Sequence, residues 1–321
     1  LGQNPCDVDR LFHTMKRFGS WGREGGGVSG LELALWDLAG KAYGVPCYQF
    51  LGGKYRDKVR IYADTPSPTD TSPASYAERV MGRLKEGLTF IKFDLGLHCL
   101  KGIEGTTIGT PTLYERGRAP GTGSVVHITE KGIDCLAEIV ATVRESVGWD
   151  VALCIDHFGH GMMTVKEVIQ LGQALEPYGL SWMEDPAPWW DVEAHKQVTD
   201  AINVPTAAGE ELYLWDGFRE MIETRAVDII HPDLLTSGGI LETKKIGDLA
   251  QEYGVSMALH MAGTPVSTMA SVHCAAATQN FIALEHHFNE VPFWSDFIKG
   301  GPKPIVQNGY ITVPEGPGLG F

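Results

Sequence analysis

Closely spaced cysteine pairs are absent from this sequence. Its six cysteines are scattered and none belongs to a CxxC pair; they are Cys6, Cys47, Cys99, Cys135, Cys154 and Cys274. This spacing suggests neither a cysteine zinc site nor a disulfide framework. Free thiols persist in reducing compartments, so we predict a cytoplasmic protein.

Long apolar runs and a surplus of positive charge are also lacking. No apolar stretch is long enough to span a bilayer and the sequence shows no signal peptide, so we predict no membrane partner. The chain has 26 Lys and Arg against 40 Asp and Glu, which gives a net charge of −14. Such a surface repels nucleic acids and anionic membranes, and we predict binding to neither.

What the sequence does contain, from residue 59 onward, is a repeated alternation of short apolar runs and amphipathic stretches. With 321 residues and 43% apolar content, the chain can bury a large core. The alternation predicts parallel strands joined by crossover helices. An open doubly wound sheet fits the same pattern, but eight strands favour a closed (β/α)8 barrel. The candidate strands are VRIYADT (59–65), FIKFDLG (90–96), VALCIDHF (151–158), LSWMEDP (180–186), PTAAGEE (205–211), VDIIHPDL (227–234), VSMALH (255–260) and FIALEHHF (281–288).

The first 50 residues follow a different pattern. Helical character is found in LFHTMKRF and LELALWDLAGKAYG, and the glycine-rich stretch GSWGREGGGVSG lies between them. That stretch is not a phosphate-binding loop, because no strand precedes it and no GK[ST] follows it. Ser29 with Glu32, three residues later, predicts a capping box at the start of the second helix.

Ionisable residues stand at the ends of the candidate strands. In FIKFDLG, Lys92 and Asp94 leave the same face, since a strand has a period of two. Either they neutralise each other in a salt bridge or they belong to an active site. Barrels build active sites at this rim, so we expect the strand-end residues to share one site. From the third strand on, acids and bases recur at intervals of 23 to 28 residues: Asp156, Glu184, Glu210, Asp233, His260 and Glu285.

Asp156, Glu184 and Glu210 come from three consecutive candidate strands. Their negative charges would repel one another unless a cation neutralised them. Three oxygen ligands suit a hard cation, and we predict Mg²⁺. Zinc is not favoured, because no HxH or HExxH pattern supplies nitrogen ligands. The alternative is a set of salt bridges to lysine or arginine.

Asp233 and His260 end two adjacent candidate strands. A carboxylate beside an imidazole fixes its tautomer and raises its basicity, so the pair predicts a general base. The alternative is a histidine that serves only in core packing.

These motifs together resemble the enolase superfamily, in its mandelate racemase-like branch. The join between that branch's capping domain and its barrel resembles GVSGLELALWDLAGKAYGVPCYQFLGG. Its three metal-ligand strands resemble CIDHFGHG, WMEDPAPWW and AAGEELY. Its Asp–His dyad resembles HPDLLTSGGILETKKI with ALHMAGTP, and the glutamate of its last strand resembles that of LEHHF. The resemblance spans residues 5–320, and both spacing and residue type agree.

The resemblance implies a modified, enolase-like (β/α)8 barrel over residues 51–300. Residues 1–50 would be the C-terminal helical part of a capping domain, and residues 301–321 would return to that domain. Family members begin with a β-meander, and nothing before LFHTMKRF resembles strands. We therefore expect this sequence to be shorter than a typical member's at one or both ends.

The resemblance also implies roles for the strand-end residues. The three carboxylates would bind Mg²⁺, and His260, held by Asp233, would move the proton on the carbon next to a substrate carboxylate. Glu285 would hydrogen-bond that carboxylate. Lys92 matches a lysine that contacts the substrate carboxylate, and the alternative is that it acts as acid or base on the opposite face.

One departure from the family pattern favours a particular reaction. The second-strand motif is usually Lys-x-Lys with the second lysine as another base, and here that position is Asp94. One clear base favours dehydration over racemisation: the α-proton is removed and the β-hydroxyl leaves as water, which gives a 2-keto-3-deoxy acid. The hydroxyl needs a proton donor, for which His260 itself, His157 and His160 are candidates. His157 and His160 would equally serve as partners of the metal ligands.

A polar rim suits a polyhydroxy acid, so we predict a sugar-acid substrate, with Asp94, His157 and His160 as candidate binding residues. A cycloisomerase, in which the same enediolate expels a ring oxygen, stays open as an alternative. A catalytically silent barrel used for binding is a more remote one. An amidohydrolase-type enzyme would need an HxH on the first strand, and RIYADT has none. The family resemblance further implies a homo-oligomer.

Overall fold

The structure of the chain, a computed structural model, describes residues 2–18, 27–109, 126–156, 163–287, 291–301 and 303–321. Within these ranges the chain alternates between strands and helices after residue 57. The strands are β1 (Lys58–Ala63), β2 (Phe90–Asp94), β3 (Thr107–Ile108), β4 (His127–Ile128), β5 (Ala152–Asp156), β6 (Trp182–Glu184), β7 (Thr206–Ala208), β8 (Ile229–Ile230), β9 (Ser256–Leu259), β10 (Phe281–His286) and β11 (Tyr310–Thr312).

The main sheet has the strand order β10-β9-β8-β7-β6-β5-β2-β1-β11, and β10 also pairs with β1. Neighbouring barrel strands are parallel, as in β2 and β5, whereas β11 is antiparallel to β1. The eight barrel strands overlap the eight candidate strands of the sequence. The prediction of a closed (β/α)8 barrel is therefore confirmed. Strands β3 and β4 form a separate antiparallel pair.

Helices follow the barrel strands, and several begin at a side-chain cap. Thr164 and Glu167 form a reciprocal capping box at one of them, and Ser72 and Thr129 cap two others. The helices are α1 (Val8–Met15), α2 (Val28–Tyr43), α3 (Cys47–Phe50), α4 (Pro73–Lys85), α5 (Glu130–Val147), α6 (Val165–Leu175), α7 (Val192–Ala201), α8 (Leu214–Glu223), α9 (Leu234–Ser237), α10 (Ile240–Glu252) and α11 (Pro265–Ala277). Among the described residues, no helix has both the length and the apolar character that crossing a bilayer requires.

The chain divides into two compact units. The first comprises residues 1–61, 209–223 and 230–321, and the second comprises residues 62–208 and 224–229. In the second unit, α4, α5 and α6 pack their apolar faces against β2 and β5, and residues such as Val80, Leu136 and Leu171 are fully buried there. In the first unit, α11 is buried along almost its whole length.

The predicted capping box at the start of α2 is wrong. Gly27 is the N-cap and makes no side-chain capping bond. Glu32 is buried instead, and its carboxylate accepts hydrogen bonds from the indole of Trp36 and from the backbone N–H groups of Ile240 and Leu241. The glutamate therefore caps α10, a helix about 200 residues away in sequence, because a buried helix N-terminus needs acceptors for its free N–H groups.

Candidate active site

In the second unit, the paired strands β2 and β5 bring the predicted site residues Asp94 and Asp156 side by side. The two strands pair in register, with Asp94 opposite Asp156 and Lys92 opposite Cys154. Lys92 and Asp94 leave one face of β2, as the period of two predicts. Both are almost completely buried, with 1% and 4% of their surface exposed.

The ammonium of Lys92 contacts two predicted metal ligands. Its Nζ lies 3.0 Å from Asp156 Oδ2 and 3.0 Å from Glu184 Oε1. The indole N–H of Trp182 donates to the other Glu184 oxygen over 3.1 Å, and the Tyr62 ring lies 5.9 Å from Lys92 Nζ. The salt-bridge alternative thus has direct support, although the lysine comes from the neighbouring strand and not from a surface helix.

Asp94 belongs to a hydrogen-bonded network that sequence reasoning missed. Its Oδ2 accepts from the Ser67 hydroxyl over 3.4 Å, and the same hydroxyl oxygen lies 3.0 Å from His98 Nε2. The Tyr76 hydroxyl donates to Ser67 over 3.1 Å. Ser67 lies between β1 and α4, at the carboxyl side of a barrel strand, where substrate-contacting loops are found.

In the first unit, Asp233 and His260 form the predicted pair. His260 Nδ1 lies 2.7 Å from Asp233 Oδ2. The other oxygen, Oδ1, accepts from the backbone N–H of Leu235 over 2.7 Å, as the N-cap of α9. The short helix thereby fixes the carboxylate, which in turn fixes the imidazole and leaves Nε2 as its second reactive atom.

Two glutamates surround His260 Nε2, with Glu210 Oε2 at 2.9 Å and Glu285 Oε2 at 3.7 Å. Burial alone would lower the pKa of His260, but the charges of Glu210 and Glu285 and the hydrogen bonds with Asp233 and Glu210 raise that pKa well above its usual value. His287 completes the group, with its Nε2 3.0 Å from Glu285 Oε1 and its ring 5.8 Å from that of His260.

Glu210 depends on an unusual backbone conformation. Gly209, which precedes it, has a φ of +136°, and a Cβ at this position would lie 2.7 Å from the Phe218 ring. Only glycine is free of both the strain and the collision. This gives a physical reason for the glycine in AAGEELY.

The donor chemistry fits a divalent cation. In the second unit, Asp156 and Glu184 are buried and both contact the ammonium of Lys92. In the first unit, Glu210 is a buried carboxylate beside His260. Another group, entirely within the first unit, has one donor atom from each of His260, Glu285 and His287 within 4.8 Å of the other two. Oxygen donors suit Mg²⁺, and mixed imidazole and carboxylate donors suit Zn²⁺.

Two of the predicted residues, His157 and His160, lie outside the described residues. Ser67, Trp182 and His287 were missed by sequence reasoning. His287 follows Glu285 by two positions, so the period of two applied at the end of β10 could have found it. No comparable pattern connects Ser67 with Asp94, because they are brought together by tertiary structure.

Comparisons with known proteins find family models that match most of the chain. Residues 75–321 match the family model described as "Enolase C-terminal domain-like", and residues 1–52 match "Mandelate racemase / muconate lactonizing enzyme, N-terminal domain". A D-xylonate dehydratase of Haloferax volcanii is 38% identical over 100% of this chain and 74% of its own length. A D-galactarolactone cycloisomerase of Agrobacterium fabrum is 29% identical over 100% of this chain and 79% of its own length.

A solved structure extends the likeness to three dimensions. The mandelate racemase/muconate lactonizing enzyme-like protein from Rubrobacter xylanophilus superposes with a TM-score of 0.86 at 34% identity, covering 100% of this chain and 81% of the other. Membership of this family implies a divalent metal. These matches, together with the barrel fold, show that the chain belongs to the enolase superfamily, in its mandelate racemase-like branch.

Proposed function

We propose that this enzyme is a Mg²⁺-dependent sugar-acid dehydratase. It removes the proton next to a carboxylate and eliminates the β-hydroxyl as water, which gives a 2-keto-3-deoxy acid. The observation that carries the proposal is the buried Asp233–His260 pair, with an Nδ1–Oδ2 distance of 2.7 Å. A related D-xylonate dehydratase that is 38% identical supports the choice of reaction.

His260 moves the proton in this proposal. Its Nδ1 stays on Asp233, so Nε2 is the atom that takes the α-proton. Glu285, whose Oε2 already accepts the backbone N–H of Met261 over 3.3 Å, hydrogen-bonds the substrate carboxylate. Lys92 either binds that carboxylate or acts on the opposite face.

Asp156, Glu184 and Glu210 are the residues proposed to hold Mg²⁺. When bound, the ion supplies positive charge for the carboxylate oxygens of the substrate as the α-proton leaves. The assignment rests on the matching family motifs and on the burial of all three carboxylates.

The leaving hydroxyl needs a proton, and His260 can return the one it has taken if both groups lie on one face of the substrate. His157 and His160 are alternative donors or substrate-binding residues by their place in the sequence. Asp94 is proposed to bind a substrate hydroxyl, because a carboxylate and the adjoining Ser67 offer an acceptor and a donor together.

A cycloisomerase is the second candidate, and the related D-galactarolactone cycloisomerase supports it. The two reactions share the first proton transfer and differ in the group expelled. Incubation of the Mg²⁺-loaded protein with aldonic, aldaric and anhydro-sugar acids, followed by NMR, separates them. A 2-keto-3-deoxy acid formed from a linear acid supports dehydration, whereas turnover of ring substrates alone refutes it.

The His260→Asn variant tests the base. In D₂O the wild type should exchange the α-proton of its substrate, and the variant should not. Retained exchange in His260→Asn would mean that another residue removes the proton. No exchange or turnover with any acid by the wild type would favour the remote alternative, a silent barrel used for binding.

We further propose a cytoplasmic location and a homo-oligomer. The described cysteines are all free thiols, and burial raises the pKa of Cys47 and of Cys274 to about 12, which keeps them unreactive. The oligomer follows from the family resemblance.

A further inference from the structure

We infer that the first unit also contains a zinc site, formed by His260, Glu285 and His287, and that Zn²⁺ bound there inhibits the enzyme. The inhibition goes beyond the proposed function, which uses Mg²⁺ and assigns no role to His287. The zinc site itself rests only on the geometry of the first unit.

The spacing of the donor atoms suits zinc. Tetrahedral Zn²⁺ with bonds of about 2.0–2.2 Å keeps its ligand atoms about 3.3 Å apart. His287 Nε2 lies 3.0 Å from Glu285 Oε1, and His260 Nε2 lies 3.7 Å from Glu285 Oε2. One donor from each of the three residues lies within 4.8 Å of the other two. Small side-chain rotations would therefore bring all three to coordination distance.

The surroundings of His260 are those of a zinc-binding histidine. Such a histidine usually gives its second ring nitrogen to a carboxylate, which orients the ring and raises the basicity of the metal-binding atom. Asp233 is that carboxylate, 2.7 Å from Nδ1. Glu210 Oε2, 2.9 Å from Nε2, adds negative charge beside the proposed ion.

The exposure of the three side chains lets a metal ion enter, and their donor atoms favour Zn²⁺ over Mg²⁺. His260 and Glu285 are buried, with side chains 3% and 0% exposed, and His287 is 26% exposed, so an ion can approach from the His287 side. Two imidazoles with one carboxylate are the His₂Glu set of many zinc sites, and Mg²⁺ prefers oxygen alone.

Inhibition follows from the atom that zinc would take. Zn²⁺ would bind the lone pair of His260 Nε2, and in any molecule whose Nε2 holds a proton that proton would leave to solvent as the bond forms. The same lone pair then can no longer accept the α-proton of the substrate. Zinc should bind at this site while saturating Mg²⁺ is present. Excess Mg²⁺ should not reverse the inhibition, because Mg²⁺ binds nitrogen ligands poorly.

Metal titration of the intact protein in saturating Mg²⁺ tests the site without any substrate. We expect wild type to bind Zn²⁺, and Co²⁺ as its coloured substitute, with visible bands typical of four-coordinate cobalt. His287→Gln should weaken zinc binding by about tenfold or more, since it removes one of three ligands. His13→Gln, which removes an exposed histidine of α1, is the matched control and should bind zinc as the wild type does.

Equal zinc affinity in His287→Gln and wild type would overturn the proposal, as would complete displacement of zinc by excess Mg²⁺. Circular dichroism of each variant verifies that the comparison is made on folded protein. Once a substrate is known, the zinc concentration that halves the rate, relative to each variant's zinc-free rate, should rise by about tenfold or more in His287→Gln. Zinc binding through His287 without any dehydratase activity would refute the proposed function and leave the zinc site intact.

Discussion

The substitution Glu32→Gln should remove a pH-dependent component from the stability of the protein. Glu32 lies on α2 and is 1% exposed. It accepts the N–H groups of Ile240 and Leu241 at the start of α10, over 2.8 and 3.1 Å, and the indole N–H of Trp36 over 2.5 Å. Burial nevertheless dominates these hydrogen bonds and raises the pKa of Glu32 from 4.5 to about 7.

The sign and size of the effect follow from that shift. Between pH 4.5 and about 7 the folded state holds a proton on Glu32 that the unfolded state has lost, so the free energy of unfolding falls as the pH rises through this window. At 1.36 kcal/mol per pKa unit, the loss amounts to about 3 kcal/mol. Glutamine does not titrate, so the unfolding free energy of the Glu32→Gln protein lacks this pH-dependent component.

Chemical denaturation of both proteins from about pH 4 to about pH 8 measures the effect. As the pH rises through this range, the unfolding free energy of the wild type should fall by about 3 kcal/mol relative to that of Glu32→Gln. Glu138→Gln, at an exposed position of α5, controls for the loss of one negative charge. A difference that stays constant with pH would show that the carboxylate is ionised throughout and that the hydrogen bonds outweigh burial.

Three further predictions concern the candidate site. Asp233→Asn should lower kcat by about three to four orders of magnitude, because an amide no longer holds His260 in the required tautomer; activity within tenfold of wild type would contradict this role. Gly209→Ala should lower the free energy of unfolding by about 1–3 kcal/mol, owing to the strained φ and the collision with Phe218, and an unchanged melting temperature would count against that account. Dialysis against EDTA should abolish turnover and Mg²⁺ should restore it; full activity after chelation would exclude the metal assignment.

Periodic features of the sequence predicted the barrel and the order of its strand ends. Each of the eight candidate strands overlaps a barrel strand, and the Asp233–His260 pair was expected because adjacent parallel strands end at one rim. The contacts of Glu32 with α10 were not predicted, because no periodic pattern links the two segments. Ser29 with Glu32 matched a local capping box, but burial of Glu32 beneath α10 gave its carboxylate a distant helix to cap.

The position of Lys92 shows why the residues alone did not decide between a metal site and a set of salt bridges. Both hypotheses use the same buried carboxylates, and the structure places one ammonium 3.0 Å from each of Asp156 and Glu184. A carboxylate has two oxygens and about four lone-pair sites, so an ion pair with Lys92 does not by itself exclude a metal-ligand role for either residue. Under the proposed function, the ion pairs and the metal are therefore compatible: Lys92 would orient the two carboxylates, which would also hold the divalent cation.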